Sequence, residues 1–201
     1  MKPSLLFLSM IVSAGSLFAR EPVWVFNNGP DVKLISLGQG QLLHEVGLTK
    51  LLPTGTDLTL TVPMGAKDAF PADKRPFFAV RYKYKTTIKQ AGLFFTTDTL
   101  TALSDKSYSA FPVVGDSTWR SAIVDMRKFG HQNWTGKITS FRLDPTNPSD
   151  TDSTYQVSRL GFFPSEAEAQ RFLDAATDAP DYSEPTHFVA PLERVRKRFI
   201  D

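Results

Sequence analysis

From Phe77 to Lys85 the chain alternates: Phe78, Val80, Tyr82 and Tyr84 share one parity, Arg81, Lys83 and Lys85 the other. Successive side chains of a strand point to opposite faces, so this segment reads as a strand with one buried side. Other segments rich in strand formers follow the same logic: Val23 to Phe26, Gln41 to Val46, Leu58 to Val62, Ala91 to Thr97, Tyr108 to Val114, Trp119 to Met126, Lys137 to Leu143 and Tyr155 to Phe163. Turn chemistry separates them, as in Asn27-Asn28-Gly29-Pro30, Pro53-Thr54-Gly55-Thr56 and Asp144-Pro145-Thr146-Asn147-Pro148. About nine or ten short strands at this spacing predict an all-β sandwich of the jelly-roll type.

One helix interrupts the pattern. Ser165 and Glu168 stand at capping-box spacing after Pro164, and Ala169, Phe172, Leu173 and Ala176 form a helical stripe. The spacing predicts a short C-terminal helix, Glu166 to Ala175, over one end of the sandwich.

The ends read differently. Lys2 precedes an apolar run from Leu5 to Ala14, and small residues lead to Ala19, so residues 1–19 read as a signal peptide. The run is too short to span a bilayer, and no later stretch is apolar enough to do so. The jelly-roll domain is then expected over 20–176 and an extended basic tail over 177–201, which ends Arg194-Val195-Arg196-Lys197-Arg198-Phe199-Ile200-Asp201. The expected localisation is secreted, periplasmic or cell-surface, in a bacterial envelope.

Composition removes several functions. With no cysteine there is neither a disulfide framework nor a thiol nucleophile. Lys plus Arg is 23 against 21 for Asp plus Glu, a balance unlike that of a nucleic-acid-binding polycation. The histidines, His44, His131 and His187, are widely spaced, and no nucleophile elbow, phosphate loop or metalloprotease motif occurs. The chain reads as a non-enzyme.

Binding rests on aromatic residues, because sugar rings stack apolar C–H faces on them. The chain offers Trp24, Trp119, Trp134, Tyr82, Tyr84 and Tyr108. Tyr82 and Tyr84 continue a buried parity, and Trp24 and Trp134 read as structural. The selected ligand-binding set is Trp119, Tyr82, Tyr84, Arg81 and Lys83, the cations being suited to acidic glycans. Asp144, Asp150 and Asp152 lie close in sequence and are the candidate ligands of a structural calcium, against a solvated acidic loop as the plainer reading. No other cofactor is expected.

Trp134-Thr-Gly-Lys-Ile-Thr-Ser-Phe-Arg-Leu-Asp144-Pro145 resembles a motif of secreted carbohydrate-binding-like modules with a galactose-binding-domain jelly roll. Looser matches are Trp24, Gly55-Thr56-Asp57, Phe78 to Lys83 and Leu93 to Thr97, spanning Glu21 to about Phe163. The chain departs from the pattern at Leu58, where the family often has proline, and at Ser158, where it often has an acid. The resemblance implies a galactose-binding-like sandwich and a glycan partner. The expected function is a secreted, non-catalytic module binding glycan by stacking and hydrogen bonds. The alternative is an envelope or periplasmic scaffold that docks a protein partner through 177–201.

Overall fold

The computed structural model describes residues 21–26, 31, 35–45, 48–62, 64–65, 67–128 and 133–176. The signal-peptide and tail readings, and those for His131 and His187, lie outside the described residues. Twelve strands appear in chain order: β1 Val23–Val25, β2 Ser36–Gly38, β3 Gly40–Glu45, β4 Leu48–Pro53, β5 Thr59–Val62, β6 Phe70–Pro71, β7 Phe77–Lys85, β8 Gln90–Thr97, β9 Tyr108–Pro112, β10 Asp116–Asp125, β11 Lys137–Asp144 and β12 Thr154–Phe163. They form two six-stranded sheets. The first has the order β10-β7-β12-β4-β3, with β1 also paired to β12; the second has the order β2-β5-β11-β8-β9, with β6 also paired to β11. Every pairing is antiparallel. The expected jelly-roll sandwich is the fold observed.

The inward parities of the two sheets meet in a dry interior. Phe78, Val80, Tyr82 and Tyr84 of β7 face Leu93 and Phe95 of β8 and Phe141 and Leu143 of β11, all buried. Phe162 is the hub of this core. Its ring lies 5.0 Å from Phe70, 5.1 Å from Phe141, 5.3 Å from Phe78 and 5.5 Å from Trp134. Buried aromatics of this size supply most of the area removed from water, and tilted ring pairs add to it. Trp134 is buried among them, and its indole Nε1 donates to the Ala72 carbonyl at 3.0 Å. The turn after it depends on Gly136, whose φ of +70° lies in the left-handed region.

Helix α1 spans Glu166–Asp174, with Ser165 as its cap; the Ser165 hydroxyl accepts from the Glu168 amide at 3.2 Å. It packs against the outer face of the first sheet rather than over the end of the sandwich. Ala169 and Leu173 bury Ala79 and Phe163, and Phe172 sits 4.9 Å from the Phe163 ring. Those outward residues are apolar at this end of the sheet because the helix covers them.

Phe162→Ala is expected to cost about 3–5 kcal/mol, because a cavity opens among four rings. Phe172→Ala, at the half-buried helix edge, should cost clearly less. Urea unfolding of both variants measures the difference.

Candidate functional site

Of the five residues selected from the sequence, the fold gathers three. Trp119 of β10 stands directly opposite Lys83 of β7 on the outer face of the first sheet. The Arg81 guanidinium lies 5.7 Å from the Trp119 ring centroid, and its Nη1 donates to Ser121 Oγ at 3.4 Å. Tyr82 and Tyr84 take the opposite parity and are 3% and 1% exposed. Their rings lie 4.5 Å apart, and Tyr84 packs on Tyr155 at 5.1 Å. Burial, with Tyr82 and Tyr155 nearby, raises the Tyr84 phenol well above its ordinary value. Tyr82 Oη accepts from the Val114 amide at 3.2 Å. The reading of these two rings as stacking platforms is therefore corrected: the alternation that made them conspicuous places both in the core.

The three acids do not converge either. Asp150 accepts from the Asp152 amide at 3.0 Å within a local turn. Asp144 projects from β11 and is ion-paired to Arg142 at 2.8 Å. Among the described residues no group of three His, Asp or Glu side chains is placed to hold a metal ion.

A more developed site lies on the outer face of the second sheet. Strand registers align Tyr108, Phe94, Arg142, Thr61 and Ser36 in one row across β9, β8, β11, β5 and β2. The next row holds Ala110, Gly92 and Asp144. Tyr108 and Phe94 are half-buried, with ring centroids 4.6 Å apart. The Arg142 guanidinium lies 4.3 Å from the Phe94 centroid, within cation–π range.

Gly92 explains how Tyr108 lies. A Cβ at position 92 would come within 2.4 Å of Tyr108 Cε2 and 3.2 Å of its Cζ. The ring thus crosses the glycine, backed by the sheet. Absence of a side chain at 92 makes the platform.

Arg142 and Asp144 supply the polar part. The Arg142 side chain is 23% exposed and that of Asp144 1%. Arg142 Nε and Asp144 Oδ1 are buried without a hydrogen-bond partner. Both atoms are closed to solvent, so the pair can meet a ligand through the exposed part of the Arg142 guanidinium, which Asp144 holds. Burial pushes the Asp144 carboxyl up to about 6; Arg142 opposes the rise and Asp57 adds to it.

Hydroxyls and a cavity extend the face at its two ends. Thr96 Oγ1 shares hydrogen bonds with Thr139 Oγ1 at 2.8 Å and Ser140 Oγ at 2.7 Å. Beyond Ala110, an open cavity of about 650 Å³ is lined by Gln90, Pro112, Asn147 and Pro148 among others.

Sequence reasoning named Tyr108 and Asp144 but not their association. Phe94 was hidden in the run Leu93-Phe94-Phe95, where no alternation marks the outward residue. Gly92 carried no signal, since only the cross-strand register places Tyr108 on it.

No family model matches the chain, and no curated protein matches its sequence. Solved structures are similar. An agarase matches with a TM-score of 0.51 and 8% identity, covering 71% of this chain and 25% of the agarase. A family 29 carbohydrate-binding module matches with a TM-score of 0.49 and 8% identity, covering 73% of this chain and 94% of the module. A family 11 carbohydrate-binding module from Clostridium thermocellum, solved with a β-1,3-1,4-mixed-linked tetrasaccharide, gives 0.47 and 10%, covering 72% and 97%. At 8% identity the likeness to the agarase is one of fold alone.

Proposed function

We propose that the chain is a non-catalytic carbohydrate-binding module whose outer face on the second sheet takes a neutral polysaccharide. The observation that carries this reading is the juxtaposition of half-buried Tyr108 and Phe94 with a partly exposed Arg142 that Asp144 holds in place. Aromatic rings accept the apolar side of a sugar, while the partly exposed Arg142 guanidinium, held by buried Asp144, offers donors to its hydroxyls. The cation and anion offset each other, which suits an uncharged ligand. The names of the similar modules agree with this class of ligand but do not carry the argument. Export is read from the apolar run after Lys2 and rests on sequence alone.

A glycan array followed by calorimetry on the best neutral hit tests the reading. Tyr108→Ala and Arg142→Ala are each expected to weaken binding about tenfold or more, through lost stacking and lost hydrogen bonds. Gly92→Val should weaken it comparably by displacing the Tyr108 ring, with a far-ultraviolet dichroism spectrum like that of the native chain. Absence of binding to every neutral glycan would overturn the assignment.

The raised Asp144 carboxyl gives a pH signature. The folded chain holds this proton more tightly than the unfolded chain does. The group's contribution to stability is therefore largest in acid and falls as pH rises from the usual carboxylate range through about 6. Affinity runs the other way, since the charged carboxylate that holds Arg142 exists above that value. Asp144→Asn should remove the affinity step near pH 6. Its melting temperature relative to native should also climb between about pH 4 and about pH 7. A step that survives the substitution would assign it to another group.

A further inference from the structure

The cavity beyond Ala110 is continuous with the Tyr108 platform. Ala110 stands opposite Gly92, the residue that the Tyr108 ring crosses, and Pro112 stands opposite Gln90 in the next row. Two residues of a strand advance about 7 Å, so ring and cavity are neighbours on one surface. A ligand that lies on Tyr108 and runs along the strands reaches the cavity with its next unit.

The cavity differs from the platform in its lining. Ile88, Ala110, Pro112 and Pro148 present apolar groups, and no Asp or Glu is among the lining residues. Phe111 also lines it but belongs to the inward parity and is 4% exposed, so no open aromatic face is on offer. Two carboxamides complete the wall: Gln90 on β8, and Asn147 from the loop between β11 and β12. Both residues are exposed, and among the described residues neither side chain makes a hydrogen bond. Each carboxamide carries both a donor and an acceptor.

That combination selects by chemistry. A hydroxyl gains nothing from an apolar wall, and a carboxylate set against one loses its hydration. Lys89 lines the cavity from an exposed position, where solvent and salt screen it, too little to hold an acid alone. An acetyl group matches both parts: its methyl belongs on the apolar wall and its carbonyl needs a donor. The volume of about 650 Å³ is that of a small-molecule site, larger than an acetyl group fills, so the sugar unit enters with its substituent. We propose that this cavity is an acetyl-selective subsite. In it, a sugar next to the one on Tyr108 sets the methyl of an ester or acetamido group against Ile88, Pro112 and Pro148, while the carbonyl accepts from Gln90 or Asn147. The inference rests on the reading of the Tyr108 platform as a saccharide site. Tyr108 then holds the polymer, and the cavity decides which substituted chains bind best.

The test is calorimetry on the full chain with two pairs of neutral ligands. Chitopentaose against cellopentaose adds an acetamido group to one β-1,4 backbone. Acetylated glucomannan against the same polymer after alkaline deacetylation isolates the ester. The acetylated member of at least one pair is expected to bind about tenfold tighter, and the pair that responds assigns amide or ester. Gln90→Ala combined with Asn147→Ala should bring the ratio near one by weakening the acetylated member alone, with a far-ultraviolet dichroism spectrum like that of the native chain. Tyr108→Ala should weaken both members and leave their ratio unchanged. The ratio should also hold between low and high salt, because no charge is recognised. Equal affinities within both pairs, still lowered by Tyr108→Ala, would overturn the subsite and leave the platform standing. A ratio that survives the double substitution, or that collapses with salt, would overturn it as well. No binding of any of the four ligands would remove the platform reading and the subsite with it.

Discussion

Antiparallel pairing with a strict two-residue alternation governs what this chain can present to a ligand. Each central strand sends one parity inward, and the aromatic cluster around Phe162 consumes it. Phe70, Phe78, Trp134 and Phe141 all pack on that one ring. Interior volume is fixed by these contacts, so the large side chains left over must lie outside. Phe94 and Tyr108 are half-exposed for this reason, each at an outward position between buried neighbours, whereas Trp119 lies on edge strand β10 between exposed Thr118 and Arg120. Helix α1 removes one patch of the first sheet's outer surface from solvent.

Much of this was legible in the residues. The strand Phe77–Lys85 appears where its alternation put it, and the helix begins at the residue that its cap signal indicated. What escaped was short or depended on register. Ser36–Gly38 and Phe70–Pro71 are too brief to display a period. Leu93-Phe94-Phe95 is apolar at every position, so its outward ring cannot be told from its inward ones without the neighbouring strands. The bulge at Ser158 breaks the count that alternation relies on, and it alone brings Arg159 beside Arg81. Arg142 and Asp144 read as the end of a strand and a turn; they form a site because β8 and β9 lay Phe94 and Tyr108 next to them.

On the second sheet a buried carboxyl offsets the cation of the platform, and its desolvation is the largest influence on its proton affinity.

The most direct test of the central assignment is a backbone amide NMR titration of the full chain with soluble neutral oligosaccharides of the cello-, xylo- and agaro- series. The account predicts that at least one of them shifts a contiguous set of resonances around Gly92, Phe94, Tyr108, Arg142 and Asp144, leaving Trp119 and Lys83 unmoved. Shifts centred on Trp119 and Lys83, or no shifts with any of the series, would contradict it.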